Sequence, residues 1–233
     1  MKKRIVSILL TLALLLALAA CSAEQYDALY VIDGENGMTF TVRGSGTRPK
    51  QIVVKNGDEI IWKTKVKIPR SVGSLGGHYG FEIIDLNFDG YNDLMLADGV
   101  SGECISYICW LYDEASGKYV RSEQLSGLCN IHADADLKAL LAYTHTYTME
   151  QAYADVPASY ITVDSTTKYV WNDGNLTPEV RASISYYSET EMYQYSVAVY
   201  DSENGTFADS DDKWLSPEEY KTYDMSFLYY FKK

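Results

Sequence analysis

The sequence is poor in histidine, in cysteine and in long apolar runs. His78, His132 and His145 are its three histidines. None belongs to an HExxH motif, and no GxSxG turn supplies a serine nucleophile. Carboxylates are plentiful, but no spacing selects one pair as the acid and base of a glycosidase. The expectation is a protein that is not an enzyme. Of the four cysteines, Cys104, Cys109 and Cys129 lie beyond the amino-terminal segment. They lack CxxC spacing, which argues against a four-ligand structural zinc site. A second apolar run of spanning length is also missing, so a chain threaded through a membrane is not expected.

The one long apolar run follows Met1-Lys2-Lys3-Arg4 and extends from Ile5 to Ala20. Its 16 residues suit a signal-peptide core better than a membrane span. It ends in Leu18-Ala19-Ala20-Cys21, which resembles the lipobox of bacterial lipoproteins. The resemblance implies that Cys21 is lipidated and becomes the first residue; the alternative is a cleaved secretory signal with an incidental cysteine. Residues 1–21 are read as the signal peptide with lipobox, 22–27 as a tether, and 28–233 as a single calcium-binding β domain. The expected location is extracytoplasmic, with the membrane as a partner through the lipid on Cys21. Loss of the signal takes the 20 basic residues to 17 against an unchanged 32 acids, so the net charge moves from −12 to −15. Such a chain repels nucleic acid and favours cations or basic partners. Outside the cytoplasm one disulfide is expected. Cys104 and Cys109 would face opposite sides of a straight strand, so a bridge from Cys129 to one of them is favoured.

The most informative stretch is Asp85-Leu86-Asn87-Phe88-Asp89-Gly90-Tyr91-Asn92-Asp93, with the pattern D-x-N-x-D-G-x-x-D. Ca²⁺ takes six to eight oxygen ligands, and a glycine at the sixth position lets such a loop turn sharply. On this template Asp85, Asn87, Asp89 and Asp93 supply side-chain oxygens and Tyr91 its carbonyl. An EF-hand is excluded, because position 12 is Leu96 and the flanks are short β-type runs rather than helices. The competing reading is a D-G hairpin turn with incidental acids.

Elsewhere apolar and polar residues alternate with a period of two. Ile60, Trp62, Thr64, Val66 and Ile68 are expected on one strand face and Lys63, Lys65 and Lys67 on the other. Asn56-Gly57 joins that run to Gln51–Lys55 as a hairpin. Residues 28–32 and 38–42 form another pair around a glycine-containing loop. Gly73, Gly76, Gly77 and Gly80 read as a connection rather than a phosphate cradle. The pattern Y-D-x-x-x-G-x-[aromatic] occurs at Tyr112–Tyr119 and again at Tyr200–Phe207, which predicts a recurring hairpin. Asp173-Gly174 marks a further turn, and Tyr193, Tyr195, Val197 and Val199 share one strand face. Residues 136–142 fit a helical turn or a buried strand, and 146–157 read as a surface loop. Ser216-Pro217-Glu218-Glu219 is a capping-box start for a short helix. The expected fold is all-β: antiparallel sheets of successive hairpins, sandwich- or propeller-like, with at most short helices.

The run from Gly80 to Leu94 resembles the D-x-D-x-D-G-x-x-D-L loops of FG-GAP blades. It is more similar to a group of bacterial secreted proteins and lipoproteins that carry one such loop. In that group the loop is followed by a W-L-Y-D-x-x-x-G-x-[YF] hairpin, an L-S-x-L segment and a Y-x-W-x-x-G-x-L segment. Trp110–Tyr119, Leu125–Leu128 and Tyr169–Leu176 match them in order. The resemblance implies Ca²⁺ as cofactor and an antiparallel β fold. Some members inhibit lysozyme-like glycoside hydrolases, and such inhibitors can use an S-G-x-Y loop. Ser116, Gly117, Lys118 and Tyr119 therefore form a candidate partner-binding loop, although S-G is also ordinary turn chemistry.

The functional expectation is a membrane-anchored, calcium-binding lipoprotein that binds a protein partner. Its sharpest form is an inhibitor of a basic, lysozyme-like hydrolase, drawn by complementary charge. The alternatives are a module that binds cell-wall glycan and a purely structural envelope lipoprotein.

Overall fold

A computed structural model describes residues 26–34, 37–68, 80–149 and 159–223. The signal peptide with Cys21, most of the tether and the glycine-rich stretch 70–79 lie outside the described residues. The chain gathers into two compact units that divide between Val66 and Lys67, where the sequence reading carries one domain over 28–233. The division falls just before the glycine-rich connection.

The first unit is one antiparallel meander. Strands β1 (Asp27–Asp33), β2 (Met38–Ser45), β3 (Arg48–Asn56) and β4 (Glu59–Lys65) are neighbours in chain order. Phe40 and Val42 of β2 stand opposite Val54 and Ile52 of β3, and all four are almost fully buried. The β3–β4 turn is Gly57-Asp58, with positive φ at Gly57 alone among the two. That is the requirement of a II′ turn, whose first position favours glycine. Asn56 is thus the last ladder residue rather than part of the turn. Val54 pairs with Trp62 but Lys55 with Ile60, so Ile61 is an extra residue. This bulge breaks the alternation, and Ile60 is exposed instead of sharing the inner face with Trp62.

The second unit holds two more meanders. One is β5 (Phe81–Ile84), β6 (Asp93–Ser101), β7 (Cys104–Asp113) and β8 (Lys118–Ser122). The other runs in order through β9 (Ile131–Asp134), β10 (Ala139–Met149), β11 (Tyr160–Asn172), β12 (Asn175–Tyr187), β13 (Met192–Asp201) and β14 (Thr206–Leu215). A shared core ties them together. Leu86, Met95, Cys109, Leu125, Ile131 and Leu140 are buried there, and Phe88, Tyr169, Trp171 and Leu176 pack against them. The fold is therefore antiparallel and all-β, with three open sheets of hairpins and one short helix among the described residues.

Several local expectations hold. Tyr112 pairs with Tyr119 and Tyr200 with Phe207 across four-residue loops of the same geometry. In each loop a glycine at φ +65° or +67° donates its N–H to the Asp carbonyl at 2.8 Å. The aromatic pairs meet edge-on at 5.2 and 5.3 Å. Asp173 and Gly174 both have positive φ, as a type I′ turn requires. Helix α1 (Pro217–Thr222) begins with the full capping box, Ser216 N–H donating to Glu219 at 2.8 Å and Glu219 N–H to Ser216 Oγ at 3.3 Å. Its Tyr220 stacks on Tyr193 with ring centres 3.9 Å apart.

Cys129 bridges Cys104, and Cys109 is a buried free thiol. The stretch 136–142 resolves into a turn followed by β10, not a helix. The surface loop expected at 146–157 is corrected over 146–149, where β10 continues to Met149 and pairs with Tyr160; residues 150–157 lie outside the described residues. Tyr147 and Met149 take one face there and Thr146 and Thr148 the other.

Candidate metal centre

The acidic loop connects β5 to β6, and the ladder closes at the Ile84–Asp93 pair. Phe88 at φ +60° and Gly90 at φ +92° bend the chain back on itself. The strained conformation at Phe88 is held by its ring, which packs on the shared core. Within the loop, Asp89 N–H lies 3.3 Å from both Asp85 Oδ1 and Asn87 Oδ1. Gly90 N–H donates to Asp85 Oδ2 at 2.9 Å, and Tyr91 N–H to Asp89 Oδ1 at 2.9 Å. Asn87 Nδ2 donates to Asp89 Oδ2 at 2.8 Å. Asp85, Asn87 and Asp89 are thereby drawn to one side of the loop, with the Tyr91 carbonyl at the seventh position.

Asp93 plays a different part. It is fully buried, and its two oxygens accept Leu86 N–H at 2.8 Å and Tyr112 N–H at 2.7 Å. Burial pushes its carboxyl up to about 7; the Tyr112 and Leu86 N–H groups pull it down, and the charges of Asp89 and Asp85 push it further up. In this arrangement Asp93 braces the loop ends. Each carboxylate oxygen has a second lone pair, so the brace does not consume its ligating capacity.

The donor set fits a hard cation. It consists of carboxylate, amide and carbonyl oxygens, without nitrogen or sulfur ligands. Among the described residues, no Lys, Arg or His forms an ion pair with Asp85, Asp89 or Asp93. Nor do any three His, Cys, Asp or Glu side chains among the described residues converge into a metal-binding group. The loop's three carboxylates are thus not gathered into one group: Asp85 and Asp89 share the turn with Asn87, while Asp93 is turned to the Leu86 and Tyr112 N–H groups.

The loop is connected to the β7–β8 tip. The Tyr91 ring lies 5.3 Å from that of Tyr112, which in turn meets Tyr119. A hydrogen bond to Glu114, in the tip itself, raises the Tyr91 hydroxyl above its ordinary value. In the candidate partner loop Ser116 and Lys118 are exposed and Gly117 is half-buried. Tyr119 is buried, and burial raises its hydroxyl strongly. Cross-strand packing against Tyr112 holds Tyr119 inside, so within the S-G-x-Y loop Ser116 and Lys118 are the residues turned to solvent.

Three features carried no sequence signal. Trp171 Nε1 donates to the Leu86 carbonyl at 2.8 Å, reaching the acidic loop from β11. Gln124 accepts Leu176 N–H at 2.7 Å and donates to the Gly174 carbonyl at 3.0 Å, bracing the β11–β12 turn. On β10 and β11 the register sets His145 opposite Asp164. Asp164 Oδ1 accepts from His145 Nδ1 at 2.9 Å and from the Tyr143 hydroxyl. The first two join segments far apart in the sequence and the third follows from the β10–β11 register, none of which a local motif encodes.

No protein-family model matches the sequence, and no curated protein matches it. A solved structure described as a Xanthomonas type IV secretion system related protein is similar over 79% of this chain and 86% of its own, at 12% identity and a TM-score of 0.41.

Proposed function

We propose that this protein is an extracytoplasmic lipoprotein, anchored through Cys21, in which calcium fastens the β5–β6 loop and orders the β7–β8 tip for binding. The observation that carries this reading is the gathering of Asp85, Asn87 and Asp89 oxygens in one turn without a basic counterion among the described residues. Like charges so placed favour a cation between them. Calcium acts here as a staple: it neutralises the loop's charge and fixes the direction of its peptides. Asp93 and Tyr91 pass that order to Tyr112 and Glu114.

The partner favoured by charge is basic, since the chain after Cys21 carries −15. Inhibition of a lysozyme-like glycoside hydrolase is the sharpest form, with Ser116 and Lys118 among the exposed residues of the tip. The test is a muramidase-inhibition assay on residues 22–233, with calcium and with chelator, across several lysozyme types. Calcium-dependent inhibition supports the inhibitor reading, and its absence across the panel removes it.

A second reading has its own observation. Tyr147, Tyr160, Tyr186, Tyr193 and Tyr220 form a row of ring contacts across the six-stranded sheet, at centre distances of 5.5, 6.0, 4.9 and 3.9 Å. Tyr147 and Tyr160 are exposed. That row favours binding of cell-wall glycan, which a pull-down with peptidoglycan and Tyr147→Ala would test.

A further inference from the structure

We propose that Trp171 is a positioning residue for calcium, and that it couples occupancy of the loop to the β11–β12 turn. This rests on the calcium reading above. Leu86, the second loop residue, is held at three points. Its side chain is fully buried in the shared core. Its N–H donates to Asp93 Oδ2 at 2.8 Å, and its carbonyl accepts the Trp171 indole at 2.8 Å. These two bonds sit on either side of the Leu86 Cα, so together they set both flanking peptide planes. One plane follows Asp85 and the other precedes Asn87. The two residues whose oxygens open the ligand set are therefore aimed by the bonds that hold Leu86.

The indole is itself fixed from behind. Trp171 pairs with Leu176 across the hairpin, and Gln124 clamps the Leu176 N–H and the Gly174 carbonyl on the turn beyond. A shift of the Leu86–Asn87 peptide on calcium binding must change the indole hydrogen bond. Linkage makes the effect reciprocal: whatever the indole contributes to calcium affinity, calcium returns to the order of the turn. A tryptophan kept only for packing would also seek a partner for its N–H. It would not, however, respond to calcium.

The experiment follows the indole N–H signals of residues 22–233 by ¹H–¹⁵N NMR during titration with CaCl₂, alongside calorimetry. The Trp171 signal is identified by its loss in Trp171→Phe, or by elimination with Trp62→Phe, Trp110→Phe and Trp214→Phe if that variant does not fold. The expected result is a saturable shift of the Trp171 signal with the calorimetric midpoint. Loss of this one bond in Trp171→Phe should weaken calcium binding by about three- to tenfold, while Trp214→Phe stays within about twofold. Calorimetric calcium binding with an unmoved Trp171 signal overturns the proposal and leaves the calcium loop standing. No calcium heat and no shift overturns both.

Discussion

Asp93 Oδ1 accepts the Tyr112 amide at 2.7 Å, so the last residue of the acidic loop is bonded directly to the strand that leads to the β7–β8 tip. Its other oxygen takes Leu86 N–H at the loop's opposite end. One fully buried carboxylate thus joins three pieces of chain: the start of the loop, its end, and β7.

Removing that carboxylate leaves two N–H groups without their acceptor. At about 1–3 kcal/mol for each unsatisfied buried donor, Asp93→Ala should lose about 2–6 kcal/mol of stability in urea unfolding. Asp93→Asn keeps one acceptor oxygen and should lose less. A change in Asp93→Ala of under about 0.5 kcal/mol, the range of an ordinary surface substitution, would contradict the brace.

The two Y-D-x-x-x-G-x-[aromatic] hairpins make a matched pair. Gly117 and Gly205 occupy the left-handed region at nearly equal φ, and an added Cβ would meet nothing nearer than a tyrosine hydroxyl at 3.9 Å in either case. The cost of alanine is then conformational alone. Gly117→Ala and Gly205→Ala should each lower stability by about 1–2 kcal/mol, and by similar amounts, in chemical denaturation.

Tyrosine ionisation sets the alkaline limit. Burial pushes the Tyr107 hydroxyl up to about 12, with the Glu82 and Cys109 charges adding to it. Burial also raises Tyr119 and Tyr143. The folded state therefore holds these protons more tightly than the unfolded chain, whose tyrosines ionise near pH 10. The stability they contribute is complete below about pH 10 and is lost as the pH climbs from there through 12. Burial likewise pushes the Cys109 thiol up to about 12. Denaturation midpoints measured from pH 8 to 12 should therefore begin to fall near 9 and fall more steeply above 10, with a late-ionising tyrosine fraction in the ultraviolet titration.

Much of the fold was legible because its signals are local. The D-G turn at Asp173, the paired Asp–Gly hairpins and the Ser216 capping box each depend on residues within a few positions of one another. The acidic loop was legible for the same reason, as far as Asp85, Asn87 and Asp89 are concerned. What escaped depends on contacts between segments distant in the sequence. The bulge at Ile61 turns Ile60 outward, and pairing with β11 extends β10 through Thr146–Met149. Cross-strand packing buries Tyr119. Trp171 reaches Leu86 across 85 residues of sequence, and His145 meets Asp164 only through the β10–β11 register. The sequence pattern offers Asp93 only as an expected calcium ligand, and its role as a brace appears when Leu86 and Tyr112 are set beside it.

Calcium is proposed to staple the β5–β6 loop, and thermal unfolding of residues 22–233 tests this most directly. Extracellular calcium sites commonly bind at about 10⁻⁴ to 10⁻³ M, so about 10 mM CaCl₂ should add about 1.4–2.7 kcal/mol over chelator. The wild-type melting temperature should therefore rise with calcium, and Asp89→Ala should melt at one temperature in both conditions, near that of the calcium-free wild type. Equal wild-type melting temperatures in calcium and in chelator would contradict the account.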